Sequence, residues 1–269
     1  DYPDHCRRCA LEMLGREIRS TTPSAWAQDY LLARAYTVGY HAATLNALES
    51  MKHIIVYNTE LRASLGKYRD KAVVIPGGVS NTAPEPCQRP PVSFPANKTI
   101  IFMPGRVQDP AKGLSVLIEA GARLLRRRED FHIIATHYDP MWRGPFFSST
   151  GWLDHEEARA FMSHAAICVV PSLWQEPFGL VAVEAMMAGL PVCASDLGGL
   201  RDIIVHNETG YLFPAGDAGA LARGLEKLLD NPSLRASMGA AGRQRVLAQY
   251  TWPAIVDNHY LPLIESLLS

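Results

Sequence analysis

No run of about 18 apolar residues occurs in this 269-residue chain, so it holds no obvious transmembrane helix. Charge of one sign is also missing. The 26 Lys and Arg are matched by 27 Asp and Glu, for a net charge of −1. A nucleic-acid binder ordinarily carries a basic face or stripe, so the balance argues against that class. The run Arg126-Arg127-Arg128 is too short to reverse it. It closes an apolar-periodic stretch, where cations suit the negative end of a helix dipole. Contact with anionic lipid, a peripheral attachment to a membrane face, is the alternative.

Cysteine is scarce and odd in number: Cys6, Cys9, Cys87, Cys168 and Cys193. Cys168 and Cys193 sit in apolar runs, which predicts buried, reduced thiols in a cytoplasmic protein. Cys6-Arg7-Arg8-Cys9 has metal or redox spacing, but only His5 is near as a further ligand. A structural or vestigial pair is expected, with no metal site. The opening Asp1-Tyr2-Pro3-Asp4-His5 lacks Met and the basic and apolar regions of a signal peptide, and reads like the middle of a longer chain.

What is present is a globular composition, 48% apolar and 20% charged, long enough for one or two domains. Pro23 opens a helical stretch from Ser24 to Met51. Apolar runs at 53–57 and 72–75 flank a short helix at about 60–68. Pro84, Pro86, Pro90, Pro91 and Pro95 then mark 81–98 as a linker. From Thr99 the pattern is regular. Strands are expected at 99–103, 131–135, 166–170, 191–194 and 211–213, with a short run at 145–149. Helices are expected at 113–128, 155–163, 179–188, 200–205 and, capped by Asp217, to 230. Two more, 233–250 and 253–268, finish the chain, the last apolar on more than one side. Strands apolar throughout, alternating with amphipathic helices, predict an α/β doubly wound parallel sheet. Such sheets bind ligands at the carboxyl ends of their strands.

Two strand-to-helix loops there carry chemistry. The first, Pro104 to Gly113, holds Gly105, Arg106 and Lys112. Cations beside a helix start suit a diphosphate; a surface loop with solvated cations is the plain alternative. The second, Pro171 to Ala185, contains Glu176-Pro177-Phe178-Gly179-Leu180 and Glu184. The amides of Phe178, Gly179 and Leu180 would cradle an anion. Glu176 suits sugar hydroxyls beyond the phosphate. Glu184, about 1.4 turns after Gly179, suits a ribose. An exposed loop acid and a buried capping acid are the alternatives, both less fitting for a pair spaced this way.

These residues resemble the retaining glycosyltransferases of family 4, the group 1 enzymes of two-Rossmann-domain (GT-B) architecture. The resemblance rests on Gly105-Arg106, Lys112-Gly113, Gly151, Pro171-Ser172, Glu176 and Glu184. It continues through Ala185 to Val192, Gly198-Gly199-Leu200 and Thr209-Gly210, and is strong over 99–250. It implies a metal-independent glycosyltransferase that uses a nucleoside-diphosphate sugar as substrate, needs no cofactor, and acts on a glycan or lipid-linked acceptor. By position, Arg106 and Lys112 would neutralise the leaving diphosphate and Glu176 would hold the transferred sugar. Glu184 would grip the ribose, and the backbone near Trp152 and Leu153 would touch the base. Residues 1–80 would be the last part of an N-terminal acceptor domain, 99–250 the donor domain, and 251–269 a helix crossing toward the N-terminal portion.

The chain departs from the family in places. No glycine-rich loop or donor-side histidine of the N-terminal domain is visible; His5 and His41 are poor candidates. Ala135-Thr136-His137 stands where Gly-x-Gly is usual, which predicts crowding of the phosphate or sugar. Ser80 stands where an acid is common at the hinge. Two other readings follow: a non-catalytic nucleotide-sugar-binding subunit needing a separate N-terminal half, and a nucleotide-sugar epimerase, which the two spaced glutamates disfavour.

Overall fold

A computed structural model describes residues 38–82 and 92–268. Cys6, Cys9, Cys87, residues 24–37 of the expected first helix, and residues 83–91 of the Pro-rich linker lie outside the described residues.

The described residues fall into two compact units, 38–54 with 65–73, and 55–64 with 74–82 and 92–268. In the first, helix α1 (Val38–Ser50) ends near a 3₁₀ turn, Gly66–Lys71. The Glu49 carboxylate pairs with Lys67 and accepts from the Tyr68 hydroxyl at 3.2 Å. Two short strands, β1 (Ile54–Val56) and β2 (Ala72–Val74), pair with each other.

The second unit is built on a seven-stranded sheet. Its strands are β3 (Thr99–Met103), β4 (Phe131–Ala135), β5 (Arg143–Gly144), β6 (Phe147–Ser149), β7 (Ile167–Val170), β8 (Val192–Ser195) and β9 (Gly210–Phe213). The order is β5-β6-β4-β3-β7-β8-β9. All neighbours are parallel except β5 with β6. β4, β7 and β8 are buried along their whole length, as strands covered on both faces must be. Alternate residues feed two cores. Ile101, Ile133 and Val169 pack under α3 (Leu114–Leu125) and α7 (Ala218–Asp230). Phe102, Ile134 and Cys168 pack on the other face under α4 (His155–Phe161), α5 (Leu180–Met187) and α6 (Gly199–Ile203).

Local chemistry sets the helix limits. In α3, Leu114, Leu117, Gly121 and Leu124 are buried, the spacing of one helical face. The helix stops at Leu125, earlier than the sequence suggests. Arg128 instead spans from Asp130, at 2.7 Å, to Asp230 at the end of α7, at 2.5 Å. The Asp154 side chain and Glu157 form a reciprocal cap on α4. Asp217 accepts from the Ala220 amide to start α7. Asn231 does the same for α8 (Pro232–Gln249). The final segment is not one regular helix. A turn, α9 (Trp252–Ile255), runs into a wide π-type turn, Val256–Tyr260, before α10 (Leu261–Leu268). Pro262 lacks the N–H that would bond back four residues, which accounts for the break. Val79 exchanges backbone hydrogen bonds with Tyr250 and Trp252 at 2.8 and 3.0 Å, tying residues 74–80 to this end of the unit.

Cys168 and Cys193 are free and fully buried, and burial pushes both thiols up, which leaves them unreactive. Among the described residues no helix is long and apolar enough to cross a membrane.

Candidate functional site

β3 and β7 are parallel neighbours, and the chain winds away from them in opposite directions. Their carboxyl ends therefore form the topological switch point of the sheet. The loops 104–113 and 171–179 leave it side by side. They are joined where the Leu173 amide donates to the Ala111 carbonyl at 2.7 Å. Gly113 is needed at this crossing: its φ is +75°, and a Cβ would lie 1.9 Å from the Pro171 carbonyl oxygen.

That crossing delivers Lys112 to Glu176. The ammonium lies 2.7 Å from Glu176 Oε1, and the same oxygen accepts from Ser172 Oγ at 2.5 Å. Lys112 Nζ also sits 4.9 Å from the centre of the Trp174 ring. Glu176 is only 8% exposed, so a carboxylate there needs these partners. Behind the loop, the Gly199 amide donates to the Glu176 carbonyl at 2.8 Å. The Asn58 side-chain amide donates to the Pro177 carbonyl at 2.6 Å, and Glu60 accepts from Gln175 Nε2 at 2.7 Å and from the Gly198 amide at 3.1 Å. The following helix, α5, begins at Gly179, with φ +107° and no side chain capping its amides. Those first-turn N–H groups are positioned for an anion.

Two adjoining clefts open in front of these loops. The larger, about 470 Å³, is lined by Gly105, Arg106, Lys112, Ser172, Glu176, Gly179 and Leu180 among others. The smaller, about 220 Å³, is lined by Thr136, Trp152, Leu153, Asp154 and Glu184. Arg106, Gly105 and His155 border both. Thr136 is buried, and its hydroxyl donates to the Gly105 carbonyl at 2.5 Å. Trp152 is exposed, whereas the Leu153 side chain is buried.

Glu184 lies in α5 with its side chain 10% exposed, and His155 Nε2 stands 3.1 Å from its Oε1. Burial raises the Glu184 carboxyl above the usual carboxylate range; His155 and then Arg159 oppose that rise. The sequence singled out Gly105, Arg106, Lys112, Trp152, Leu153, Glu176, Gly179, Leu180 and Glu184, and each borders one of the clefts. The Phe178 ring instead lines a separate hollow with Tyr57 and Tyr250. Sequence reasoning missed Ser172 as a partner of Glu176, His155 as the partner of Glu184, and the support from Asn58 and Glu60. A histidine directly after the helix cap Asp154, one loop away from a buried acid, was the available signal for His155.

Residues 147–245 match the sequence profile of the family described as "Glycosyl transferases group 1". The chain is 35% identical over 199 residues to the phosphatidyl-myo-inositol mannosyltransferase of Mycobacterium leprae, covering 70% of this chain and 52% of that protein. The chain thus spans about half the length of the curated relatives it matches. Among solved structures, sucrose-phosphate synthase from Thermosynechococcus elongatus superposes with a TM-score of 0.70 at 29% identity, over 92% of this chain and 64% of that one. HepE from Anabaena, solved with UDP-glucose, gives 0.69 at 17% identity, over 87% and 70% of the two chains. The HepE likeness speaks for the fold alone.

Proposed function

Because residues 147–245 belong to the group 1 glycosyl transferases, we propose that the paired clefts hold a nucleoside-diphosphate sugar and that the chain supplies the donor side of a glycosyl-transfer reaction. The observation that carries this reading is the Lys112–Glu176 pair at 2.7 Å, set between Arg106 and the uncapped start of α5. A cation, a carboxylate and a row of free amides in one cleft suit a diphosphate joined to a polyhydroxy ring.

The donor would lie across both clefts. Its base would sit by the backbone of Trp152 and Leu153, and its ribose hydroxyls would donate to Glu184. Its diphosphate would lie between Arg106, Lys112 and the amides of Phe178, Gly179 and Leu180. Its sugar would donate to Glu176. On transfer, the bond from the anomeric carbon to the phosphate oxygen breaks and a bond to the acceptor hydroxyl forms. The acceptor proton passes to the departing phosphate. Attack on the leaving-group face retains the anomeric configuration. Charge gathers on the leaving phosphate, where Arg106 and Lys112 act without a metal. The acceptor is proposed to be a glycan or a lipid-linked hydroxyl.

A second reading, a donor-binding subunit that works only with a separate N-terminal half, is favoured by one observation. Every residue bordering the two clefts lies between 103 and 184. The test is calorimetry and thermal shift with UDP-, GDP- and ADP-sugars, followed by transfer assays with EDTA present and with or without an added N-terminal half. A ligand at 100 times its Kd adds about 2.7 kcal/mol of stability. Absence of binding to every sugar nucleotide would refute both readings. Binding without transfer until the other half is added would select the second. Transfer abolished by EDTA would refute metal independence.

A further inference from the structure

We propose that His155 is a positioning residue for the donor: it holds the Glu184 carboxylate in place to receive the ribose hydroxyls. This rests on the nucleotide-sugar reading above and assigns a role to a side chain that reading leaves unused.

The geometry is specific. Glu184 projects from the helix that follows β7, and His155 opens the helix that follows β6. Their side chains meet at 3.1 Å where the two clefts join. Glu184 is 10% exposed, while the His155 side chain is 58% exposed. The acid is thus largely enclosed, while the imidazole is open to the cleft that both residues line. A carboxylate with little access to water needs a donor to one oxygen. His155 Nε2 is the group that approaches Oε1, at 3.1 Å. The second oxygen then keeps its lone pairs for a ligand, and the close approach at Oε1 orients the carboxylate.

The charges around the pair favour this arrangement. On α4, Arg159 acts on Glu184 with the same sign as His155, and Glu156 opposes it. Asp154, on the same helix, is committed as its cap. Arg106 enters from the β3 loop and borders both clefts. From β7 the only titratable group is the Cys168 thiol, kept neutral by burial.

The experiment is a double-mutant cycle read by calorimetry on the full chain, with UDP-glucose and GDP-mannose as probes beside their 2′,3′-dideoxyribose counterparts. His155→Ala should weaken binding of the ribose form of whichever probe binds, by about tenfold. It should leave the dideoxy form unchanged. In a Glu184→Gln background the same substitution should have little effect. His155→Gln, which keeps an N–H donor on a side chain of similar reach, should recover part of the affinity. Equal losses for ribose and dideoxy probes, or losses that add fully to those of Glu184→Gln, would overturn the positioning role and leave donor binding intact. If Glu184→Gln itself fails to weaken the ribose form selectively, the assigned role of Glu184 and this inference fall together.

Discussion

The side-chain amide of Asn58 donates a 2.6 Å hydrogen bond to the Pro177 carbonyl, 119 residues further along the chain. Asn58 is 1% exposed, and its own Oδ1 accepts from the Leu61 amide at 2.7 Å. One side chain therefore starts a short helix, α2 (Thr59–Ser64), and holds the loop that carries Glu176. Thr59 adds bonds from its amide and hydroxyl to Asp202, both at 2.8 Å.

Replacing Asn58 by alanine takes this partner from the Pro177 carbonyl and from the start of α2. The expected cost is about 1–3 kcal/mol, or a fall in Tm of roughly 2–4 °C per kcal/mol for a unit of this size. Urea unfolding should show a lower midpoint with the same slope. Donor affinity should fall as well, because the loop behind Glu176 loses its support. A variant with wild-type midpoint and affinity would remove Asn58 from the account of the site.

Gly113 gives a sharper test of how the two loops meet. Gly113→Ala places a methyl group 1.9 Å from a backbone oxygen at φ +75°. Backbone must move, so a cost of at least about 2 kcal/mol is expected. The Lys112–Glu176 pair should separate with it. The check is a Tm measurement together with donor titration; loss of stability without loss of binding would show that the crossing is not what presents Lys112.

Much of this was legible in the sequence. The interior strands are mostly apolar, and the limits expected for 99–103 and 131–135 agree with those observed. The loops at their carboxyl ends were legible too, because glycine, cations and acids cluster between apolar runs. What periodicity cannot express is a contact between distant segments. Nothing in Lys112 or Glu176 says that they touch, and Asn58, Thr59 and Glu60 read as an ordinary helix start. The helix expected at 113–128 is shorter at both ends: Gly113 is left-handed and lies just before α3, and Arg128 lies beyond Leu125 and pairs with two aspartates. Residues 253–268 look continuous by apolar spacing, and only the missing N–H of Pro262 reveals the break.

Lys112 is predicted to matter more for reaction than for binding. Removing one group that stabilises developing negative charge costs about 100- to 1,000-fold in rate. Lys112→Ala should therefore lower kcat for transfer on that scale. Lys112→Arg should not restore it, since the planar guanidinium cannot take the place of an ammonium held at 2.7 Å from Glu176 and over Trp174. Transfer unchanged in Lys112→Ala would end the proposed role.

Glu184 links the site to stability through pH. Burial raises its folded-state carboxyl above the ordinary value of 4.5. Between that value and the raised one, the folded chain binds more protons at this group than the unfolded chain does. Stability must then fall as pH rises through the window, because ionising the buried acid disfavours the folded state. Glutamine cannot ionise, so Glu184→Gln removes this slope. The wild type should lose urea midpoint faster than the variant as pH increases above 4.5, with the two curves diverging until Glu184 is fully ionised and running parallel beyond. Saturating donor should reduce the divergence, since ribose hydroxyls give the carboxylate the hydrogen bonds that burial denies it. Curves that stay parallel across the whole range would mean that Glu184 is as well solvated in the folded chain as in the unfolded one, which its burial against His155 contradicts.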